Sequence, residues 1–225
     1  MSSAPTRWRV RAHALLFDLD GTLVDSHASI VANWSDWAAR YEADLATVLA
    51  IMPGRPAGEV MRQVRPDLPD SVHSREAVAL LARELADTAR VIAMPGAVRL
   101  LDALPADRWA VVTACTRELA LARLGAAGLP VPAVLIGSDS LLAGKPDPVG
   151  YLTAASQLGV TAERSVVIED APAGVAAGHA AGMRVVALPP AATGPAGRDC
   201  LTVPALRHLH ADRDGDALML YAILS

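Results

Sequence analysis

The chain has 225 residues, 52% of them hydrophobic and 20% charged, with a formal net charge of -4. More than about 200 residues support one large domain or a domain carrying an insertion. No basic stripe points to nucleic acid, and two cysteines, Cys115 and Cys200, do not suggest a disulfide framework.

The opening MSSAPTRWRVRAHALLF has basic residues and then a short apolar stretch that soon meets acidic residues. That stretch is too short for a signal-peptide core or a membrane span, so a cytoplasmic location with no membrane partner is expected. Ala14 to Phe17 is a short apolar run followed by Asp18-Leu19-Asp20-Gly21-Thr22, which reads as a buried strand ending in a tight turn. From about Ser26 to Ala93 no buried strand is evident. Helical patterns at Ile30 to Tyr41 and Ser74 to Arg90 are punctuated by Pro53-Gly54, Pro66, Pro69 and Pro95-Gly96.

Beyond this insert, apolar runs at Trp109 to Thr113, Val134 to Ile136, Ser165 to Ile168 and Arg184 to Leu188 alternate with helical patterns. The helices are Ala97 to Leu104, Arg117 to Ala126, Val149 to Leu158 and Ala173 to Ala181, and glycine stops the last three. Such alternation predicts an α/β fold: a parallel sheet with helices on both faces. The expected division is a core of 1–25 and 94–225, with an all-helical insert at 26–93 placed after the first strand. The tail after Pro189 is Ala/Gly/Pro-rich and offers only a weak strand at Leu201 to Val203.

Asp18 and Asp20 stand two apart at a strand's end, so both side chains can face the crevice where open parallel sheets bind ligands. One carboxylate there can attack while the other moves a proton; a solvated acidic turn is the plainer alternative. Glu169-Asp170 end a second strand and suit Mg²⁺, which takes one or two carboxylates. Asp170 could instead cap the helix that begins near Pro172. Thr113 and the backbone of Ala114, at a strand-to-helix turn, can hold phosphate oxygens or merely make the turn. Lys145, in Gly144-Lys145-Pro146-Asp147-Pro148, is the chain's only lysine, a compact point charge in an arginine background. Four clustered carboxylates repel by several kcal/mol at ~4 Å. Mg²⁺ and Lys145 would supply the counter-charge that an incoming phosphate needs.

FDLDGTLVDS, VVTACT, GKPDP and VVIEDAPAGVAAGHAAGM, in this order, resemble the four motifs of the haloacid dehalogenase superfamily across nearly the whole chain. The helical insert resembles the cap of its β-phosphoglucomutase-like branch. VDSHASIVANWSDWAARY and the last motif look closest to bacterial sugar phosphatases and to fungal glycerol-3-phosphate and 2-deoxyglucose-6-phosphate phosphatases. The resemblance implies a Rossmann-like three-layer core, a cap at 26–93, and a magnesium-dependent phosphatase acting on a small sugar or polyol phosphate. By the same resemblance, Asp18 forms an aspartyl-phosphate while Asp20 protonates the leaving alkoxide and then activates water. Thr113, Ala114 and Lys145 hold the phosphoryl group. Asp18, the Asp20 carbonyl and Asp170 bind Mg²⁺, with Glu169 assisting.

A phosphosugar mutase is the main rival. The histidine that such enzymes carry early in the first cap helix corresponds here to Ile30, with His27 expected on another face. Dehalogenases do not need the metal cluster. A cysteine phosphatase at Cys115 would need arginine where Leu121 stands. A catalytically dead binding module would have lost one of the motif groups, and all are present. In the cap, Arg55 could reach over the site to the substrate or lie exposed on the surface. Trp34 and Trp37, three apart, could wall the pocket or fill the cap's core. His208-Leu209-His210 is too isolated for a metal site. Hinges are expected near Asp25-Ser26 and Ala93-Pro95. The partner is a small phosphorylated metabolite, and with no self-association signal a monomer is expected.

Overall fold

A computed structural model of the chain describes residues 6–191 and 200–224. Its centre is a six-stranded sheet in the order β6-β5-β2-β7-β8-β9, every neighbouring pair parallel. The strands are β2 (Ala14–Phe17), β5 (Trp109–Val112), β6 (Val134–Ile136), β7 (Ser165–Glu169), β8 (Arg184–Ala187) and β9 (Cys200–Thr202). β2, β5, β6 and β7 are buried along their whole length. This is why they read as continuous apolar runs rather than alternating ones.

Alternate residues of these strands feed two cores. Leu15, Phe17, Val111 and Ile168 pack on one face with Ala97, Leu100 and Leu101 of α5 (Ala97–Asp102) and Ala120 and Leu124 of α6 (Arg117–Ala126). Leu16, Ala110, Val112 and Val167 pack on the other with Tyr151 and Ala154 of α7 (Val149–Gln157) and Ala177 of α8 (Pro172–Ala180). The result is the expected three-layer α/β arrangement. Thr116 starts α6 by accepting the Leu119 amide at 3.3 Å on its side-chain oxygen.

Two findings correct the sequence reading. A strand, β1 (Thr6–Ala12), precedes β2, so the insert follows the first strand of the parallel sheet but the second strand of the chain. The tail carries more than a weak strand: β10 (Leu209–Asp214) and β11 (Ala217–Ile223) join β1 in an antiparallel sheet ordered β1-β11-β10. Its Val10, Ala12, Leu209, Leu218 and Leu220 bury into the same core as α5 and α6. The predicted strand at Leu201 to Val203 overlaps β9; the stretch 192–199 of the tail lies outside the described residues.

Between β3 (Val24–Asp25) and β4 (Ile92–Ala93), which pair antiparallel, run α1 (His27–Arg40), α2 (Leu45–Ile51), α3 (Ala57–Val64) and α4 (Asp70–Ala86). Two-residue strands give the sequence no periodicity to detect, so this pair went unpredicted. The four helices share a core of their own: Trp34, Trp37, Ala38, Val48, Val60, Met61 and Leu80. Trp34 and Trp37 meet edge to face with centroids 5.5 Å apart.

Candidate active site

β2 and β7 lie side by side in register, Phe17 opposite Ile168, and their carboxyl ends release Asp18 and Glu169-Asp170 at one edge of the sheet. Ligand atoms of Asp18, Glu169 and Asp170 fall within 4.8 Å of one another. Lys145 arrives from the loop before α7 and donates from Nζ to Asp18 Oδ1 and Glu169 Oε1, both at 2.5 Å. Its ammonium also sits 5.3 Å from the centre of the Tyr151 ring.

Glu169 is fully buried, and its oxygens are already in use. Oε1 accepts from Lys145 and from the Tyr151 hydroxyl at 3.0 Å. Oε2 accepts the backbone amides of Asp170 and Ala171, both at 2.9 Å, at the start of α8. Gly174 makes room for this, since a Cβ there would run into the Glu169 carboxyl group. Thus Glu169, not Asp170, takes the amides before α8, and Asp170 instead accepts the Thr22 hydroxyl at 3.2 Å. Gly21 bends with φ +86°, and a Cβ there would collide with the Asp170 carboxylate.

The crowding sets the electrostatics. Burial works to lower Lys145, but the carboxylates of Asp18 and Glu169 outweigh it and hold the ammonium well above its ordinary value. One ammonium cannot satisfy two buried acids. Burial and the Glu169 charge therefore lift Asp18 well above the usual carboxylate range against the pull of Lys145. The same two causes push Asp170 up to about 7.

Above this floor opens a cleft of about 850 Å³ between the sheet end and the helical insert. Asp18, Asp20, Thr113, Ala114 and Asp170 line it from below; Ile30, Trp34, Met52, Arg55 and Glu84 line it from the insert. The Asp20 side chain stands apart from the three-carboxylate group: Oδ1 accepts the Ser26 hydroxyl and Oδ2 accepts Arg123 Nη1, both at 2.7 Å. Thr113 Oγ1 accepts the Cys115 amide at 3.2 Å. Burial drives the Cys115 thiol far above its ordinary range, against any role as a nucleophile.

Arg55 lines the cleft, and its guanidinium also donates within the insert to Gln63 at 2.5 Å, with Glu59 at 3.9 Å. Trp37 is wholly buried in the insert's core, whereas the nearly buried Trp34 also faces the cleft. His27 lines the cleft together with Ile30, which corrects the expectation that it lies on a different face. His210 stacks on Tyr221, far along the chain from the acidic motifs. Tyr151, Arg123 and Glu84 were not singled out from sequence, and Ser26 was named only as part of an expected hinge. Arg123 did leave a trace: it falls on the face of α6 shared by Leu119, Ala120 and Leu124, an apolar stripe interrupted by one charge.

The family model of haloacid dehalogenase-like hydrolases matches residues 12–182. The chain belongs to this family. Among the hydrolases similar to it is hexitol phosphatase A of Escherichia coli (strain K12), 39% identical over 181 residues, covering 80% of this chain and 84% of that protein. Glycerol-1-phosphate phosphohydrolase 2 of Saccharomyces cerevisiae is 32% identical over 190 residues, covering 80% and 75%. In fold, this haloacid dehalogenase-like chain matches the crystal structure of β-phosphoglucomutase from Clostridium difficile with a TM-score of 0.75. That likeness has 20% identity and covers 87% of this chain and 92% of the other.

Proposed function

We propose that this hydrolase is a cytoplasmic, monomeric, magnesium-dependent phosphatase acting on a small sugar or polyol phosphate through an aspartyl-phosphate. One observation carries the reading: Asp18, Asp170 and Lys145 converge at the carboxyl end of adjacent parallel strands, at the base of a cleft sized for a phosphorylated metabolite. The similarity to hexitol and glycerol-phosphate phosphatases supports a polyol or sugar leaving group.

The donor set fits a hard divalent cation, being all oxygen and cradled by a glycine that leaves the Asp170 carboxylate uncovered. Asp18, the Asp20 carbonyl and Asp170 would hold Mg²⁺. Glu169, with both oxygens engaged, would act from behind by orienting Lys145. When bound, the ion neutralises charge on the phosphoryl oxygens and lets a carboxylate approach an anionic ester.

Asp18 attacks phosphorus, forming an O–P bond as the ester O–P bond breaks. Asp20 delivers a proton to the departing alkoxide, then takes one from the water that hydrolyses the acyl phosphate and regenerates Asp18. Lys145 uses two of its three N–H donors on Asp18 and Glu169, leaving one for a phosphoryl oxygen. Thr113 and the Ala114 amide complete the cradle. The insert, residues 26–93, acts as a cap that shields the leaving group from water, with the β3–β4 pair as its joint.

Phosphate release from a panel of hexitol, glycerol and 2-deoxyhexose phosphates, with and without Mg²⁺, tests this directly. Turnover should require the metal and fall at least about a thousandfold in Asp18→Asn. Near-wild-type release by that variant would refute the mechanism. Because His27 shares the cleft with Ile30, products should also be identified: an isomerised sugar phosphate with little free phosphate would favour the mutase reading.

A further inference from the structure

Arg123 is a guanidinium sunk into the apolar face of α6, its side chain 3% exposed. Burying such a charge is expensive unless it is paired and hydrogen-bonded. Here one guanidinium serves two carboxylates on different parts of the molecule. Nη1 donates to Asp20 Oδ2 at 2.7 Å, and Nη2 donates to Glu84 Oε1 at 2.9 Å. Glu84 is itself only 12% exposed and lies in the last turn of α4, shortly before the insert ends at β4. The other oxygen of Asp20 is held by Ser26, the residue on which α1 begins. Each oxygen of the Asp20 carboxylate is therefore tied to one end of the helical insert, directly through Ser26 or across Arg123 through Glu84.

We propose that Arg123 is a positioning residue for Asp20, and that its bond to Glu84 makes the placement of that carboxylate depend on the seating of the cap. The inference rests on the reading of Asp20 as the proton donor and acceptor. A buried ion pair that only fastened α4 to α6 would need one carboxylate; the second, in the lining of the cleft, is what links this bridge to the reaction. With Arg123 removed, Oδ2 of Asp20 loses its anchor and the carboxylate can rotate about the Ser26 contact. A proton donor displaced by about 1 Å can lower the rate about a hundredfold.

The consequence is selective for the leaving group. An alkyl phosphate releases an alkoxide that needs a proton, whereas p-nitrophenyl phosphate releases a stable anion that needs none. For a protein with an acyl-phosphate intermediate, kcat/KM reports only the steps through leaving-group departure, so the two substrates can be compared on that quantity. In Arg123→Met/Glu84→Gln, which removes both buried charges together, kcat/KM for glycerol phosphate should fall about 30- to 100-fold, while that for p-nitrophenyl phosphate falls less than about threefold. Arg123→Lys should recover part of the alkyl activity. Glu84→Gln alone should give a smaller loss with the same selectivity, and it decides the matter if the Arg123 variants do not fold. Equal losses on both substrates would show that the bridge only holds the fold together, and undiminished alkyl turnover would show that Asp20 needs no such anchor; either overturns the proposal. Asp20→Asn, assayed alongside, separates the two readings. Loss of alkyl turnover in Asp20→Asn but not in the bridge variants removes only Arg123's role; retention in Asp20→Asn removes the acid–base reading and this proposal with it.

Discussion

At the floor of the cleft Asp18, Lys145 and Glu169 are buried and bonded to one another, with Asp170 beside them. The roof facing them is an ordinary helical packing unit. Its core is Trp34, Trp37, Met61 and Leu80. Its ion pairs, such as Arg62–Asp70 and Arg65–Asp67, lie largely in solvent, where they contribute little. Among the described residues, the insert's ionisable lining of the cleft is His27, Arg55 and Glu84. The clustered carboxylates and the ammonium between them thus gather where the strands end. The roof offers the cleft mainly an apolar wall, with Ile30, Trp34 and Met52 in its lining.

Breaking the floor should have the largest effect. Lys145→Met leaves Asp18 and Glu169 buried without a counter-charge, and breaking a buried pair in this way costs about 3–5 kcal/mol. It should also lower kcat/KM by about a thousandfold, because the donor proposed for the phosphoryl oxygens is gone. Arginine should not restore activity, since its planar fork does not fit a niche shaped around one ammonium and the Tyr151 ring. Steady-state phosphate release and thermal melting check both parts. An active Lys145→Arg would show that the floor needs a positive charge without a fixed shape.

Breaking the roof should be damaging but local. Trp37 is fully buried against Trp34 and Tyr41, and truncation to alanine should destabilise the insert by about 3–5 kcal/mol. Hydrogen exchange should then quicken across α1 to α4 while amides of β2, β5 and β7 keep their protection. Equal acceleration in the sheet would mean that cap and core unfold as one unit, and the contrast between them would be structural only.

The same contrast explains what could be read from the sequence. Strands buried on both faces print themselves as apolar runs, so β2, β5, β6, β7 and β8 were legible to within a residue or so. The residues released at their ends carried the acids with them. β1 and β10 were missed because polar residues such as Arg9 and Arg11 or His210 and Asp212 occupy one face, so neither prints the continuous apolar run that marks the central strands; β11 is apolar throughout and was passed over all the same. The grouping of Asp18, Glu169, Asp170 and Lys145 was expected from the motif resemblance and from the need for counter-charge, not from any strand order. The service of Glu169 to Tyr151 and to the start of α8, and the bridge from Asp20 through Arg123 to Glu84, were not. The bridge joins residues 103 positions apart and depends on how α4 seats against α6, which no local pattern encodes.

A milder perturbation sharpens the comparison without altering a residue. Burial and the Glu169 charge favour the protonated form of Asp170 and push its carboxyl up to about 7, against an ordinary value of 3.8. The folded state therefore holds that proton more tightly than the unfolded chain. Its stabilising contribution is complete below 3.8 and is lost as pH rises through about 7. A divalent cation needs the ionised carboxylate, so it competes with the proton and should stabilise the fold more where the proton has gone. Saturating Mg²⁺ should raise the melting temperature by about 2–4 °C more at about pH 8 than at about pH 5.5, a difference of about 1 kcal/mol for a chain of this size. Exchange protection in the cap should change little with the ion, because the acids that gain from it belong to the sheet. A shift independent of pH would mean that the cation sits elsewhere than between Asp18 and Asp170; a shift that also protects α1 to α4 would mean that filling the floor seats the roof.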